Sequence, residues 1–152
     1  MRTIIITSDI NAHCSQQVIK RLLYLNTLDP KAVIKLYLRT EGGWEADAYS
    51  IIDIMQSIGA PVEVHAMGDV FSSGLMLLAA ATGKRYIYEN TLLGFHALEN
   101  NESALVTKRY NHFWKKFTEL PTSLTSLRNG EMEYLNAKQA LEYKIADDII
   151  EN

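Results

Sequence analysis

The amino-acid sequence predicts an α/β domain built on a mainly parallel sheet. Three observations carry that expectation: short β-branched runs alternate with helical stripes, the stripes stop at Pro or Gly, and the strand runs are nearly all apolar. The first run is residues 2–7. A helix follows, with Val18, Ile19, Leu22, Leu23 and Leu25 on one side, Ser15 as its expected N-cap, and Asp29-Pro30 as its stop. Residues 33–38 have strand composition and run into Glu41-Gly42-Gly43, a backbone able to turn tightly or to approach a ligand. Residues 45–58 give a second stripe, Ala48, Ile51, Ile52, Met55 and Ile58, closed by Gly59 and Pro61. Residues 62–67 then read as a strand, 68–71 as a connection, 72–82 as an almost wholly apolar helix, and 85–88 and 92–98 as two more strands. This order predicts a sheet buried on both faces.

Beyond Asn101 the pattern becomes amphipathic. Val106, Tyr110, Phe113, Phe117 and Leu120 recur at spacings of four and three across residues 102–120, a face fit for core or for an oligomer contact. Pro121 ends that helix, and a Ser/Thr-rich stretch leads to Asn129-Gly130. A short helix over 137–143 and a strand over 147–150 complete a single expected domain, 1–152.

The chain of 152 residues is 47% hydrophobic and 22% charged, enough for one continuous core. Its 15 Lys plus Arg against 18 Asp plus Glu give a net charge of -3, which offers no basic face to a nucleic acid. Cys14 is the only cysteine, so no internal disulfide is possible, and a reducing, cytoplasmic setting is expected. The apolar run at the start is too short for a secretory signal, and the longest apolar stretch, 75–81, falls far below the ~20 residues of a membrane span. Neither His-x-x-x-His nor Cys-x-x-Cys spacing occurs, so no metal site is expected.

Three places could carry chemistry. In Gly68-Asp69-Val70-Phe71-Ser72-Ser73-Gly74 the chain passes from a strand into a helix and leaves Ser72 at the helix start, where unpaired N–H groups and the positive dipole end favour a capping oxygen or an oxyanion. Taken locally, that pattern reads first as an ordinary N-cap. Gly42-Gly43 lies at the carboxyl end of a strand, the edge at which α/β sheets place ligands, though such a pair is more often only a turn. His96 sits within an apolar strand, where its imidazole needs a hydrogen-bonding partner. His13, His65 and His112 are assigned no role.

Read together, residues 2–6, Leu36-Tyr37-Leu38 with Gly42-Gly43, 52–58, Gly68 to Gly74, Leu77 to Gly83 with Lys84-Arg85, and Ala140-Leu141-Glu142-Tyr143 resemble the Clp protease proteolytic subunit (ClpP) family. The likeness runs nearly without gaps from 2 to about 98 and resumes over 134–150. It implies the ClpP/crotonase-like fold, a repeated β-β-α spiral with a mainly parallel sheet. The head would be 1–98 plus 134–152, with a shortened, protruding helical handle at about 99–133.

The same resemblance implies the chemistry of a serine peptidase without metal or organic cofactor. The family's Gly-x-x-x-Ser-x-Gly pattern falls on Gly68, Ser72 and Gly74, which makes Ser72 the nucleophile and His96 the base. Its oxyanion hole falls on the backbone amides of Gly43 and Ser73, where Ser73 replaces the usual methionine. The implied partners are other copies of the chain in a heptameric ring, single or stacked in pairs, and a peptide or unfolded polypeptide as substrate. No nucleic acid or membrane is implied.

Three departures qualify the resemblance. Met132 stands where the family has its catalytic aspartate, which leaves Glu131 or Glu133 as the expected substitute third member. The chain starts almost at the first core strand, without counterparts of the arm and axial hairpin, and this weakens the expectation of an AAA+ unfoldase partner. The segment between His96 and Tyr134 is shorter than the family's, so a single ring is expected ahead of a stacked pair. A catalytically impaired subunit of the same fold is the alternative reading, and a crotonase-like acyl-CoA hydratase the third.

Overall fold

A computed structural model describes residues 1–99, 101–126 and 130–152. The strands are β1 (Thr3–Ile6), β2 (Ile34–Thr40), β3 (Val62–Phe71), β4 (Arg85–Tyr88), β5 (Leu92–His96), β6 (Met132–Leu135) and β7 (Asp148–Ile150). The helices are α1 (Ala12–Leu28), α2 (Glu45–Ser57), α3 (Ser73–Ala79), α4 (Ala104–Phe117), α5 (Thr122–Thr125) and α6 (Ala137–Glu142). The main sheet runs β1-β2-β3-β4-β7 with every pairing parallel. β5 pairs parallel with the far half of β3, and β6 pairs antiparallel with β5. The mixed α/β, mainly parallel architecture is thus the expected one.

Strand order increases steadily from β1 to β4. Right-handed crossovers taken in one direction put every connecting helix on the same side, and α1 packs on α2, and α2 on α3, in that single layer. The sheet is therefore covered on one face, which corrects the expectation of burial on both. Alternation along β1 and β2 records this: Ile4, Ile6, Leu36 and Leu38 are buried, while Ile5 is 63% exposed and Lys35 and Arg39 face solvent. On the open face Tyr37, His65 and Tyr86 stack at 4.8 and 4.7 Å between centroids.

Three boundaries also differ from expectation. α1 begins at Ala12 because the Asn11 side chain accepts from the Cys14 amide, whereas Ser15 lies inside the helix and its hydroxyl donates to Ala12 and to Asp47 of α2. Residues 68–71, expected as a connection, continue β3 beyond a register shift opposite Leu38 and Thr40, which lets one strand serve β4 with its first half and β5 with its second. β6 had no periodicity long enough to mark it. Asn129, part of the expected turn, lies outside the described residues.

Within the segment expected as a handle, α4 lays Tyr110, Phe113 and Trp114 into the common core. Phe95 of β5 contacts both Tyr110 and Trp114, and Phe113 meets Tyr49 of α2 edge-on. α4 thereby roofs the end of the sheet at which Ser72 and His96 emerge.

Candidate active site

The register of two parallel strands brings Ser72 and His96 together. Val70 pairs with Leu93 and Phe71 with Gly94, and the Ser72 amide donates to the Gly94 carbonyl at 2.7 Å. At Ser72 the chain leaves β3 for α3 with φ 55° and ψ -125°, a conformation unfavourable for any side-chain-bearing residue. Strain of this kind at a strand-to-helix turn thrusts a serine side chain out of the sheet. The Ser72 Oγ reaches His96 Nε2 at 2.5 Å, and the Ser72 side chain caps no amide of α3, so the simple N-cap reading does not hold.

The other ring nitrogen, His96 Nδ1, lies 3.1 Å from the Ala97 carbonyl, an acceptor that fixes Nδ1 as the protonated nitrogen and leaves Nε2 free to accept from Ser72. The Tyr110 hydroxyl of α4 donates to the His96 carbonyl at 2.8 Å and pins the end of β5. Met132 is the cross-strand partner of His96, and Glu133 that of Phe95. Glu133 therefore points to the face opposite Met132, and Glu131 and Glu133 are both exposed. The acceptor bonded at Nδ1 is the Ala97 carbonyl.

The Gly42-Gly43 turn comes to the same spot from β2. Gly42 has φ 100°, and a Cβ there would lie 2.7 Å from the Ser72 Cβ. Gly43 has φ 151°, and a Cβ there would sit 2.1 Å from the Ile10 carbonyl oxygen. Only glycine lets this turn lie against both the serine and the outlet of β1. Ile10 donates to the Gly42 carbonyl at 2.8 Å and accepts from the Trp44 amide at 2.9 Å. Thr40 donates to the Ser8 carbonyl at 2.7 Å while accepting from the Gly42 amide at 3.1 Å. Among the described residues neither the Gly43 nor the Ser73 amide has a backbone acceptor, and two such free donors beside a serine suit an incoming oxyanion.

Glu45, to which the sequence reading gave no role, borders the same space. It opens α2 and lines, with Ser72, Met76, His96, Tyr110 and Trp114, a cavity of about 10 Å³, room for a single water. Burial pushes its carboxyl above the usual value, against the pull of the Arg109 and His96 charges, and Glu102 pushes it further up. The signal for it was its place two residues after Gly43, in the first turn of the helix that the glycine turn launches. The larger hollow of 690 Å³ lies between α4 and α5, away from Ser72. Among the described residues no group of three or more His, Cys, Asp or Glu could hold a metal ion, and no helix is long and apolar enough to cross a membrane.

A mainly parallel sheet covered on one face that brings a strained serine, an imidazole and a glycine turn to one edge defines the class by its fold: an α/β protein of the one-directionally wound kind. The Clp protease family model matches residues 1–152, so the chain belongs to the Clp protease family. Its fold is similar to that of a ClpP1 variant from Listeria monocytogenes, with a TM-score of 0.82 over 99% of this chain and 92% of that one at 24% sequence identity.

Proposed function

We propose that this Clp family chain is a serine peptidase subunit that cleaves peptide bonds of short or unfolded polypeptides through an acyl-enzyme on Ser72. The observation that carries the reading is the 2.5 Å contact between Ser72 Oγ and His96 Nε2, with the Gly42-Gly43 turn packed against Ser72 through Gly42. In the proposed reaction Ser72 Oγ attacks the substrate carbonyl carbon and its proton passes to His96 Nε2. The Gly43 and Ser73 amides take the negative charge on the former carbonyl oxygen. His96 returns the proton to the departing amine as the C–N bond breaks. Water then attacks the ester, gives a proton to Nε2, and the acid leaves as Ser72 recovers its own.

Family membership supports self-association into rings, with seven copies as the proposed stoichiometry, and in general an unfoldase partner for folded substrates. The catalytically impaired reading draws on one specific observation: Met132, not a carboxylate, faces His96 across β5 and β6. Loss of the orienting acid costs a trypsin-like triad about 10⁴ in turnover while the oxyanion hole retains residual catalysis. Slow but real turnover is the expected outcome.

The test is covalent labelling by a serine-directed fluorophosphonate, read by peptide mass. Modification at Ser72 of the assembled wild type, abolished in Ser72→Ala and in His96→Ala, is expected. An assembled protein that takes no label at any pH between about 6 and 9, the range over which a histidine base titrates, would establish the impaired reading instead.

A further inference from the structure

We propose that Glu45 is a positioning residue for His96, supplying from the first turn of α2 the negative charge that the β6 strand does not. The inference rests on the peptidase reading of Ser72 and His96 and extends it to the source of the counter-charge.

The geometry begins with what β6 withholds. Strand pairing sets the thioether Met132 opposite His96, and the alternation of the strand turns Glu133 the other way. The ring is held through Nδ1 by a neutral carbonyl, that of Ala97. A neutral acceptor orients an imidazole but gives little support to the cation formed when Ser72 surrenders its proton. Glu45 borders the same small cavity as the ring and the hydroxyl, walled otherwise by Ser73, Met76, Phe95, Tyr110 and Trp114. Glu45 is itself partly withdrawn from solvent, so its carboxylate acts on the ring more strongly than it would in open water.

The charged neighbours agree with that assignment. Glu45 is attracted by Arg109 of α4 and by His96 of β5, and repelled by Glu102 just before α4. Tyr49, one turn along α2, has its hydroxyl held back from ionising by burial and by the Glu45 charge. Arg109 also stacks over the Tyr49 ring at 4.3 Å, which restrains the cation near α2. Burial raises the Glu45 carboxyl, and Arg109 limits the rise. Above the resulting value Glu45 is ionised and favours an imidazolium; below it the support is absent.

The sequence context fits. Gly43 contributes a proposed oxyanion amide and Glu45 follows two residues on. One turn would thus carry both the donor for the developing negative charge and the acceptor for the developing positive one.

The experiment tracks the rate of Ser72 acylation by a fluorophosphonate from about pH 5 to 9, spanning the carboxylate and imidazole titrations, in the wild type, Glu45→Gln, Glu45→Asp and Glu133→Gln. Glu45→Gln is expected to lower the plateau rate about tenfold, the effect of one opposite charge near an ionising group. It should also move the acid limb to lower pH, because the ring then stays neutral more readily. Glu45→Asp retains most of the rate, and a Glu133→Gln protein with the slowed rate and displaced acid limb expected of Glu45→Gln would overturn the assignment to Glu45. A Glu45→Gln protein with wild-type rate and profile overturns the proposal, as does one that is slow with an unmoved acid limb, since that would be structural damage alone. If Glu45→Gln does not assemble, Glu45→Ala carries the same two readouts. A wild type that takes no label brings down the peptidase reading together with this one, an outcome distinct from a labelled wild type indifferent to residue 45.

Discussion

Ser72 spends conformational energy to present its hydroxyl. A non-glycine residue at φ 55° and ψ -125° costs about 1–3 kcal/mol, held in place by the bond from its amide to Gly94 and by the packing of α3. Replacing Ser72 by Gly removes the strain, partly offset by the freedom glycine brings to the unfolded chain. Ser72→Gly is therefore expected to be more stable than Ser72→Ala by about 1 kcal/mol in urea unfolding; equal stability of the two would mean an unstrained turn. At this scale the sequence was informative where a motif crossed an element boundary: Ser72 and His96, singled out from their local patterns, lie in contact, and the Gly42-Gly43 turn packs against Ser72. Glu45 was not singled out, because a glutamate in a helix's first turn is ordinary and only the tertiary approach of α4 and β5 makes it a neighbour of His96. Met132 could be placed as a departure, but the consequence for Glu133 needed the observed register.

Among elements, Arg85 at the start of β4 joins three segments of the chain. Its guanidinium donates to the carbonyls of Ala79 at the end of α3, Phe117 at the end of α4 and Lys144 after α6, and pairs with Asp147 at 2.6 Å. Arg85→Ala leaves those acceptors short of a donor and is expected to destabilise by about 2 kcal/mol, read by urea denaturation at neutral pH. Asp147 supplies a pH signature. Burial pushes its carboxyl up, but the hydrogen bonds and charge of Arg85, helped by Lys84, outweigh that and leave it below the usual aspartate value. A carboxyl lowered on folding contributes stability above its ordinary value and loses it as pH falls through the folded one. The stability gap between wild type and Arg85→Ala should therefore narrow below about pH 4; a gap constant down to about pH 2 would remove Asp147 from the account. Element types were legible from periodicity, and their ends were not. Asn11 outcompeted Ser15 as cap because its carbonyl met the Cys14 amide. Gly68 read as a break because local sequence cannot reveal that β5 lies alongside residues 69–71 and pairs with them.

Over the whole molecule, a sheet wound in one direction has its helices on one side and leaves Ile5, Tyr37 and Tyr86 on the other. Composition could not reveal this, since the strand runs are as apolar as those of a doubly covered sheet. Light scattering at neutral pH is expected to give a multiple of the 17.2 kDa chain mass, seven for the proposed ring; a monomer at micromolar concentration would count against assembly and against confinement of substrate. Ile10 braces the peptides on both sides of Gly43, and the Ser8 carbonyl anchors Thr40 beneath them. The outlet of the first strand is in effect a splint for the proposed oxyanion donor. A neighbour or ligand that tugged on residues 8–10 would slacken that donor while hydroxyl and imidazole stayed in touch, throttling turnover without dismantling the nucleophile.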